Sequence, residues 1–336
     1  MRKITDLRSA FPYEKSHLPS YPWLMAGPLD RKRIHIVGLG NVGQNAAVAL
    51  RASAGETISR IGIYDTNQKL VSRMDIELNQ ILSPFSKTRY PEVKVLTEND
   101  LFDCDVFLLC AAAGVPSVGE ETQGDVRMAQ FEANRAILAA YAAKALREDY
   151  KGLFGVVSDP VDLLCEEAAR FLHPEQVQGF GLGVMFARGA YYAAKRAPSD
   201  PRFSHFLQSG RVYGPNGRGL IAVNSISPRF YDSQATDKLT NLTVGANISI
   251  RALGYRPYIA PGVSSVALTI PEVISGNWND SACFLNGIFF GARNRLTPTG
   301  IKWEKDPLPD ELFYRLRESY RRLEKLKEKV TVQDRS

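Results

Sequence analysis

The sequence predicts an α/β protein with an N-terminal Rossmann domain, a doubly wound parallel sheet, followed by a C-terminal α+β domain. Three observations predict this class: a strand that runs into a glycine-rich turn and a helix after residue 33, a repeated alternation of apolar strand-like runs with helical stretches, and a change after Pro160 to longer helices and hairpin-like strands. Strands that alternate with helices pair in parallel, because each crossover returns the chain to the same end of the sheet.

The elements follow in order along the chain. Residues 1–30 are rich in proline, aromatic and charged residues and predict an extended arm. Residues 31–162 form the predicted nucleotide-binding domain, residues 163–330 the second domain and residues 331–336 a short tail. Five strands are predicted in the first domain, at 34–37, 58–64, 93–96, 105–110 and 153–157. In the second domain a hairpin is predicted at 211–213 and 220–223, and the apolar spacing over 310–330 predicts a docked C-terminal helix.

The composition is that of an ordinary soluble protein, with 44% hydrophobic and 23% charged residues in 336. No apolar run approaches the roughly 20 residues of a membrane span, and no signal-peptide core opens the chain, so we expect a cytoplasmic protein without a membrane partner. Residues 1–33 hold seven basic and three acidic side chains, so most of the net charge of +6 lies at the start of the chain, and it forms no basic stripe for nucleic acid. The four scattered cysteines predict neither a disulfide framework nor a metal site.

The strongest motif is Gly38-Leu39-Gly40-Asn41-Val42-Gly43, which follows the first strand directly and opens a helix. In this context Gly38 permits the tight turn, Gly40 lets a pyrophosphate approach the backbone, and Gly43 lets helix and strand pack closely. The backbone of Asn41 and Val42 lies at the helix N-terminus, where the partial positive charge favours phosphate. The motif predicts a dinucleotide site.

Asp65 indicates which dinucleotide is bound. It follows Gly43 by about twenty residues, at the end of the second predicted strand, the position of an acid that accepts hydrogen bonds from the ribose hydroxyls. A carboxylate there would repel the 2′-phosphate of NADP. The sequence therefore predicts NAD.

Several further segments, in order, resemble the lactate/malate dehydrogenase family over about residues 33–330. Met74-Asp75-Ile76-Glu77-Leu78 is similar to the family segment after the second strand, Ala112-Ala113-Gly114-Val115-Pro116 to the start of its mobile active-site loop, and Ser158-Asp159-Pro160-Val161-Asp162 to its S-N-P-V-D. The resemblance implies a C-terminal substrate domain of that family's type, a carboxylate-bearing substrate and a homodimer or homotetramer.

The resemblance also implies roles for individual residues. It places Ala112, Gly114, Asn134 and Ser158 with the glycine turn and Asp65 at the cofactor. Arg127 stands where the family has the loop arginine that polarises the substrate carbonyl. Arg188, in Phe186-Ala187-Arg188, stands where the family grips the substrate carboxylate with a guanidinium fork.

Other positions depart from the family. The acid/base histidine is Asn216, in Gly214-Pro215-Asn216-Gly217, and its orienting aspartate is Met185. Asparagine cannot deliver a proton near neutral pH, and methionine cannot stabilise an imidazolium. The family asparagine that positions the substrate oxygen is Asp159 here, Ser117 replaces an arginine of malate dehydrogenases, and Arg256 falls at the substrate side-chain pocket.

Three hypotheses remain open from these residues. The first is an NAD-dependent oxidoreductase with altered acid/base chemistry, in which Arg188, Arg256 and Ser117 bind the substrate and Arg127, Asp159 and Asn216 act on it. Its substrate is a 2-hydroxy or 2-oxo acid, or the amino or imino analogue, since a carboxylate at Asp159 can pair with a protonated nitrogen. The second is an inactive protein that binds NAD(H) or a carboxylate. The third is an assembly surface whose aromatic arm embraces a neighbouring subunit.

Overall fold

The computed structural model describes residues 2–10, 13, 30–85, 87–113, 126–254 and 266–333. In that part of the chain the strands are β1 Lys32–Val37, β2 Ile58–Tyr64, β3 Glu92–Val95, β4 Val106–Leu109, β5 Leu153–Val156, β6 Val177–Gly179, β7 Arg211–Tyr213, β8 Ile221–Val223, β9 Asn279–Leu285, β10 Ile288–Thr297 and β11 Gly300–Trp303. The α-helices are α1 Asn41–Ser53, α2 Gln68–Asn79, α3 Val126–Arg147, α4 Val161–Ala168, α5 Leu182–Arg196, α6 Phe206–Ser209, α7 Ser233–Ala252, α8 Val266–Ile274 and α9 Asp310–Gln333.

Six of the strands form the parallel sheet that the alternation predicts. Their order is β3-β2-β1-β4-β5-β6, and each neighbouring pair is parallel. The chain reverses its direction across the sheet between β1 and β4, whose last residues Val37 and Leu109 are paired. Ligands of open α/β sheets bind outside the carboxyl ends of the strands at such a reversal. The glycine turn that follows β1 therefore lies at the expected binding edge.

The sheet continues beyond the parallel strands. Strands β9, β10 and β11 extend it antiparallel from β6, giving nine strands in the order β11-β10-β9-β6-β5-β4-β1-β2-β3, and β7 and β8 form a separate antiparallel pair. Strand β6 lies beyond the predicted domain boundary at residue 162. The three-residue run Val177–Gly179 was not predicted, because it is too short to show a periodicity. The predicted boundary itself stays a prediction.

The two faces of the parallel sheet are covered by different helices. Side chains alternate along β1, so that Ile34 and Ile36 belong to the apolar cluster with α1, α2 and α8, whereas Val37 belongs to the cluster with α3 and α4. His35 is also fully buried. The doubly wound packing of helices on both sides explains why β4 and β5 are buried at every position.

The described part of the N-terminal arm packs on its own chain. Ile4 and Leu7 are buried in the apolar cluster that contains α9, and Glu324 of α9 accepts hydrogen bonds from the Ser9 hydroxyl and, at 2.8 Å, from the backbone N–H of Ala10. The amide of Asn286 also donates to the carbonyl oxygen of Leu7 at 2.8 Å. Residues 2–10 therefore pack within the chain, whereas the aromatic residues on which the third hypothesis depends lie outside the described residues, apart from Tyr13.

Among the described helices, none is both long enough and apolar enough to cross a bilayer.

Candidate active site

The glycine turn after β1 is determined by close backbone packing. Gly38 has φ +94°, and a Cβ there would lie 2.3 Å from the backbone nitrogen of Ala111. A Cβ on Gly43 would lie 1.9 Å from the carbonyl oxygen of Gly38. Gly40, the N-cap residue of α1, differs because a Cβ there would meet nothing within 4 Å. The turn thus needs Gly38 and Gly43 for its own geometry, and it leaves open space at Gly40, where the backbone can accept a pyrophosphate.

Asp65 lies at the end of β2, beside this turn. Its Oδ2 accepts a hydrogen bond from the backbone N–H of Leu39 at 2.7 Å, and its Oδ1 accepts one from Asn67 at 2.8 Å. Each carboxylate oxygen has two lone pairs, so both can still accept from ribose hydroxyls. The residues present therefore fit a dinucleotide: an open helix N-terminus for the phosphates and a fixed acid for the ribose.

A second group of polar residues, after β4 and β5, forms the wall beside the turn. The Ser158 hydroxyl, which is buried, lies 2.6 Å from the carbonyl oxygen of Ala111. The Asn134 amide accepts from the backbone N–H of Ala113 at 2.8 Å and donates to the carbonyl oxygen of Asp159 at 2.7 Å. Asn134, on α3, therefore ties the residues that follow β4 to Asp159, and Ala112 lies between these two tethers.

Asp159 and Asn216 meet at the substrate end. The Asn216 amide nitrogen donates to Asp159 Oδ1 at 3.1 Å, and the backbone N–H of Asn216 donates to Asp162 Oδ2, also at 3.1 Å. Asp162 is only 1% exposed, whereas Asp159 is exposed. Asn216, which stands at the family's acid/base histidine, and Asp159, which stands at its substrate-positioning asparagine, are therefore in direct contact.

Arg188 lies on α5 and interacts electrostatically with Asp159. Its guanidinium donates to Asn247 Oδ1 of α7 at 2.6 Å and lies 3.5 Å from the sulfur of Met185. Burial lowers the pKa of Arg188, and the negative charge of Asp159 opposes this lowering. An arginine remains cationic under such conditions, so the Arg188 cation interacts electrostatically with the Asp159 anion.

The structure brings together only part of the predicted site. It unites Asp159, Asn216 and Arg188, and it gathers the cofactor residues around the glycine turn. Arg127 lies in the first turn of α3, but its side chain is outside the described part of the chain, as are Gly114, Ser117 and Arg256.

Sequence reasoning assigned no role to two residues of the site, Asp162 and Asn247. Asp162 stands in the quoted segment that ends Pro160-Val161-Asp162, so its proximity to Asp159 was visible, although its bond to Asn216 was not. Asn247 lies 59 positions from Arg188, and no pattern in the sequence connects the two residues.

The described histidines lie elsewhere. His35 is buried in β1, where its Nδ1 is 2.9 Å from the carbonyl oxygen of Leu101. His173 caps the 3-10 helix Pro174–Gln176, and His205 stacks on Phe230 with the ring centroids 3.9 Å apart. His17 is outside the described residues. Within the described ranges, no group of three or more histidine, cysteine or acidic side chains could hold a metal ion.

Comparison with known proteins identifies the nucleotide-binding part. Residues 32–181 match the family model described as lactate/malate dehydrogenase, NAD binding domain. The chain is 26% identical over 255 residues to the L-lactate dehydrogenase of Halalkalibacterium halodurans, a match that covers 71% of this chain and 76% of that protein. It is 26% identical over 201 residues to the L-lactate dehydrogenase of Treponema denticola, covering 59% of this chain and 58% of the relative.

Solved structures show the same fold. The minor L-lactate dehydrogenase of Enterococcus mundtii has a TM-score of 0.72 at 18% identity, and the match covers 89% of this chain and 98% of that one. The malate dehydrogenase of Cryptosporidium parvum has a TM-score of 0.72 at 16% identity, covering 90% and 100%. The predicted combination of a Rossmann domain with a C-terminal domain of this type is confirmed, as is NAD as the cofactor.

Proposed function

Because residues 32–181 match the NAD-binding domain of the lactate/malate dehydrogenase family, we propose that this chain is an NAD-dependent oxidoreductase acting on a substrate that carries a carboxylate. The observation that carries the proposal is Arg188, a half-buried guanidinium held by Asn247 at the end of the cleft where Asp159 and Asn216 meet. Planar guanidinium groups bind carboxylates with two parallel hydrogen bonds.

The cofactor half of the mechanism follows from the backbone. NAD supplies hydride transfer when it is bound. The open backbone at Gly40, Asn41 and Val42 would hold the phosphates, Asp65 the adenosine ribose, and Ala112, Gly114, Asn134 and Ser158 the wall near the nicotinamide. The contacts of Asn134 and Ser158 support this role because they fix the backbone after β4 relative to Asp159.

The substrate half departs from its relatives in proton transfer. Arg188 would bind the carboxylate, Arg127 would polarise the reacting group, and Ser117 and Arg256 would contact the remainder of the substrate. Asn216 can donate and accept hydrogen bonds but cannot exchange a proton near neutral pH. The carboxylate of Asp159 can accept one, so Asp159 is the proposed proton acceptor, with Asn216 orienting it through the 3.1 Å bond.

The test is NADH oxidation with a panel of 2-oxo acids, each with and without added ammonium. We expect turnover of at least one member, lost in Arg188→Gln and strongly reduced in Asp159→Asn. Background rates across the whole panel, or rates that neither substitution changes, would exclude the proposed function.

A second candidate is an inactive protein that binds NAD(H) or a carboxylate. It is favoured by the positions of the described histidines: His35 bonds to Leu101, His173 caps the helix Pro174–Gln176, and His205 stacks on Phe230. In this case NAD raises the melting temperature by linkage, because it binds only the folded chain, while turnover is absent. Turnover above background in the panel would exclude it.

The proposed assembly is a homodimer or homotetramer in the cytoplasm. Apolar side chains are exposed on three helices, and they include Ile76 of α2, Ile248 of α7 and Leu268 of α8, each at least 60% exposed. Exposed apolar side chains of this size are candidates for a subunit interface. The mass in solution tests the assembly, and removal of residues 1–28 tests whether the arm contributes to it.

A further inference from the structure

The substrate end of the cleft presents hydrogen-bond acceptors at Asp159 and Asn216. An ionised carboxylate only accepts, so the Asn216 amide must direct its nitrogen toward Asp159, as it does at 3.1 Å. The amide oxygen of Asn216 is then left over. It is buried and has no hydrogen-bond partner in the described part of the chain. The backbone of Asn216 is held in place by the hydrogen bond that its N–H donates to Asp162 at 3.1 Å.

These acceptors discriminate between the atoms that a substrate can carry at C2. A carbonyl oxygen only accepts hydrogen bonds, so it can pair with neither the Asp159 carboxylate nor the Asn216 amide oxygen. A hydroxyl has a single hydrogen and no charge. An ammonium has three N–H donors and a positive charge, and it can therefore satisfy both the Asp159 carboxylate and the Asn216 amide oxygen. A buried acceptor without a donor costs free energy. A ligand that supplies the missing donors should therefore bind more tightly than one that does not.

The opposite charge is supplied by Arg188. Its guanidinium is half-buried; burial lowers the pKa of Arg188, and the negative charge of Asp159 opposes this lowering. The site thus offers a cation for a carboxylate and, beside it, an anion for a neighbouring cationic group. A 2-amino acid presents those two charges on adjacent carbon atoms.

We propose that the substrate is a 2-amino acid whose carboxylate binds Arg188 and whose amino nitrogen donates to Asp159 and to the amide oxygen of Asn216. This inference rests on the proposed function and narrows its substrate class, since it excludes the 2-hydroxy acids. Asp159 takes the place of the family's neutral asparagine for this reason: a charged acceptor binds a protonated nitrogen where an amide addresses an oxygen.

The chemistry balances with NAD⁺ as the oxidant. The ammonium loses one proton, for which Asp159 is the acceptor. The Cα–H bond then breaks with transfer of its hydrogen and electron pair to NAD⁺, and the nitrogen lone pair forms the C=N bond of a 2-iminium acid. Water hydrolyses the iminium, so one amino acid, one NAD⁺ and one water give one 2-oxo acid, one ammonium, one NADH and one proton.

Binding to the NADH complex tests recognition without turnover, because neither an amino acid nor a hydroxy acid can accept a hydride. The probes are two pairs of similar shape, L-alanine with L-lactate and L-aspartate with L-malate, and the readout is NADH fluorescence. We expect at least tenfold tighter binding of the amino acid in one pair. Asp159→Asn should abolish this preference, whereas Asp149→Asn, an exposed position far from the cleft in the turn after α3, should keep it.

Steady-state rates separate this inference from the proposed function. We expect NADH oxidation by pyruvate or oxaloacetate to require ammonium. Oxidation that is independent of ammonium, or hydroxy acids that bind as tightly as their amino partners, would overturn the inference and leave the oxidoreductase in place. Preferential binding of amino acids with no turnover would overturn the proposed oxidoreductase activity and support the proposed recognition of a 2-amino acid. If none of the four probes binds the NADH complex, the inference falls.

Discussion

The nucleotide end and the substrate end of the cleft lie at the same edge of one sheet. Main-chain contacts determine the geometry of the first end, and side-chain contacts determine that of the second. At the glycine turn the geometry depends on backbone contacts, since added Cβ atoms on Gly38 or Gly43 would lie within 2.3 Å of main-chain atoms. At Asp159, Asn216 and Arg188 it depends on side chains that bond to one another and to Asn247.

This difference predicts that the two ends tolerate substitutions differently. Any side chain at Gly38 disturbs the fold as well as the cofactor site. The main-chain bonds of Asp159 and Asn216, to Asn134 and Asp162, do not involve their own side chains, so a substitution at either residue should mainly change which groups the site offers to a ligand. The cofactor is therefore shared with the relatives, while the substrate is open to change.

The largest effect is expected from Gly38→Ala. A Cβ would lie 2.3 Å from the Ala111 nitrogen, at φ +94°, and we expect the free energy of unfolding to fall by about 3 kcal/mol or more. Gly40→Ala is the matched control: with no atom within 4 Å of its Cβ, it should cost about 1 kcal/mol or less while still weakening NAD binding. Urea unfolding and NADH fluorescence measure both. Equal unfolding energies for the two variants would contradict the steric account of the turn.

A second prediction concerns pH and uses His35, in the strand that leads into the turn. Burial lowers the pKa of His35 to about 4, and its hydrogen bond to Leu101 opposes this lowering. The unfolded chain, with a histidine pKa near 6.5, therefore binds more protons than the folded chain below that value. Stability is fully present above pH 6.5 and is lost as the pH falls toward 4, by about 3 kcal/mol.

The measurement for His35 compares urea unfolding at pH 7 and at pH 4 in the wild type and in His35→Asn. The amide of the variant can still donate to Leu101 but does not titrate, so its stability should fall by about 3 kcal/mol less over this interval. The carboxylates titrate in both proteins and cancel in the difference. Parallel pH profiles would show that His35 is not the group responsible.

Arg188→Gln examines the substrate end in the same way. Loss of a partly buried, charge-assisted carboxylate contact should weaken binding of the tightest probe about a hundredfold, roughly 2.7 kcal/mol, with NADH affinity unchanged. Asn247→Ala leaves the guanidinium in place without its 2.6 Å acceptor and should cost less than about tenfold. A parallel loss of NADH affinity in Arg188→Gln would mean that the two ends are not independent.

The difference between local main-chain geometry and side-chain contacts also decides how much of the structure the sequence could predict. Most of the parallel sheet, the turn and Asp65 were predictable, because strand, glycines, helix and terminal acid lie within a short stretch and obey local steric rules. Strand β6, only Val177–Gly179, was not, because three residues carry no periodicity. The bond between Arg188 and Asn247 and the packing of Ser9 on Glu324, 315 positions apart, are tertiary contacts that no local pattern encodes.

The smallest effect is expected at Asp65, and it concerns cofactor choice. Asp65→Asn keeps an oxygen that can accept from Leu39, the 2.7 Å bond that holds the turn, but removes the charge that repels a 2′-phosphate. We therefore expect the preference for NADH over NADPH to fall about tenfold, roughly 1.4 kcal/mol, with little change in unfolding energy. Asp75→Asn, at a partly exposed position of α2, provides the control for a general change of charge. If Asp65→Asn left the preference intact, the selectivity for NADH over NADPH would have to arise from other residues. The backbone turn and Asp65 alone would then not determine the nucleotide end, contrary to the contrast drawn with the substrate end.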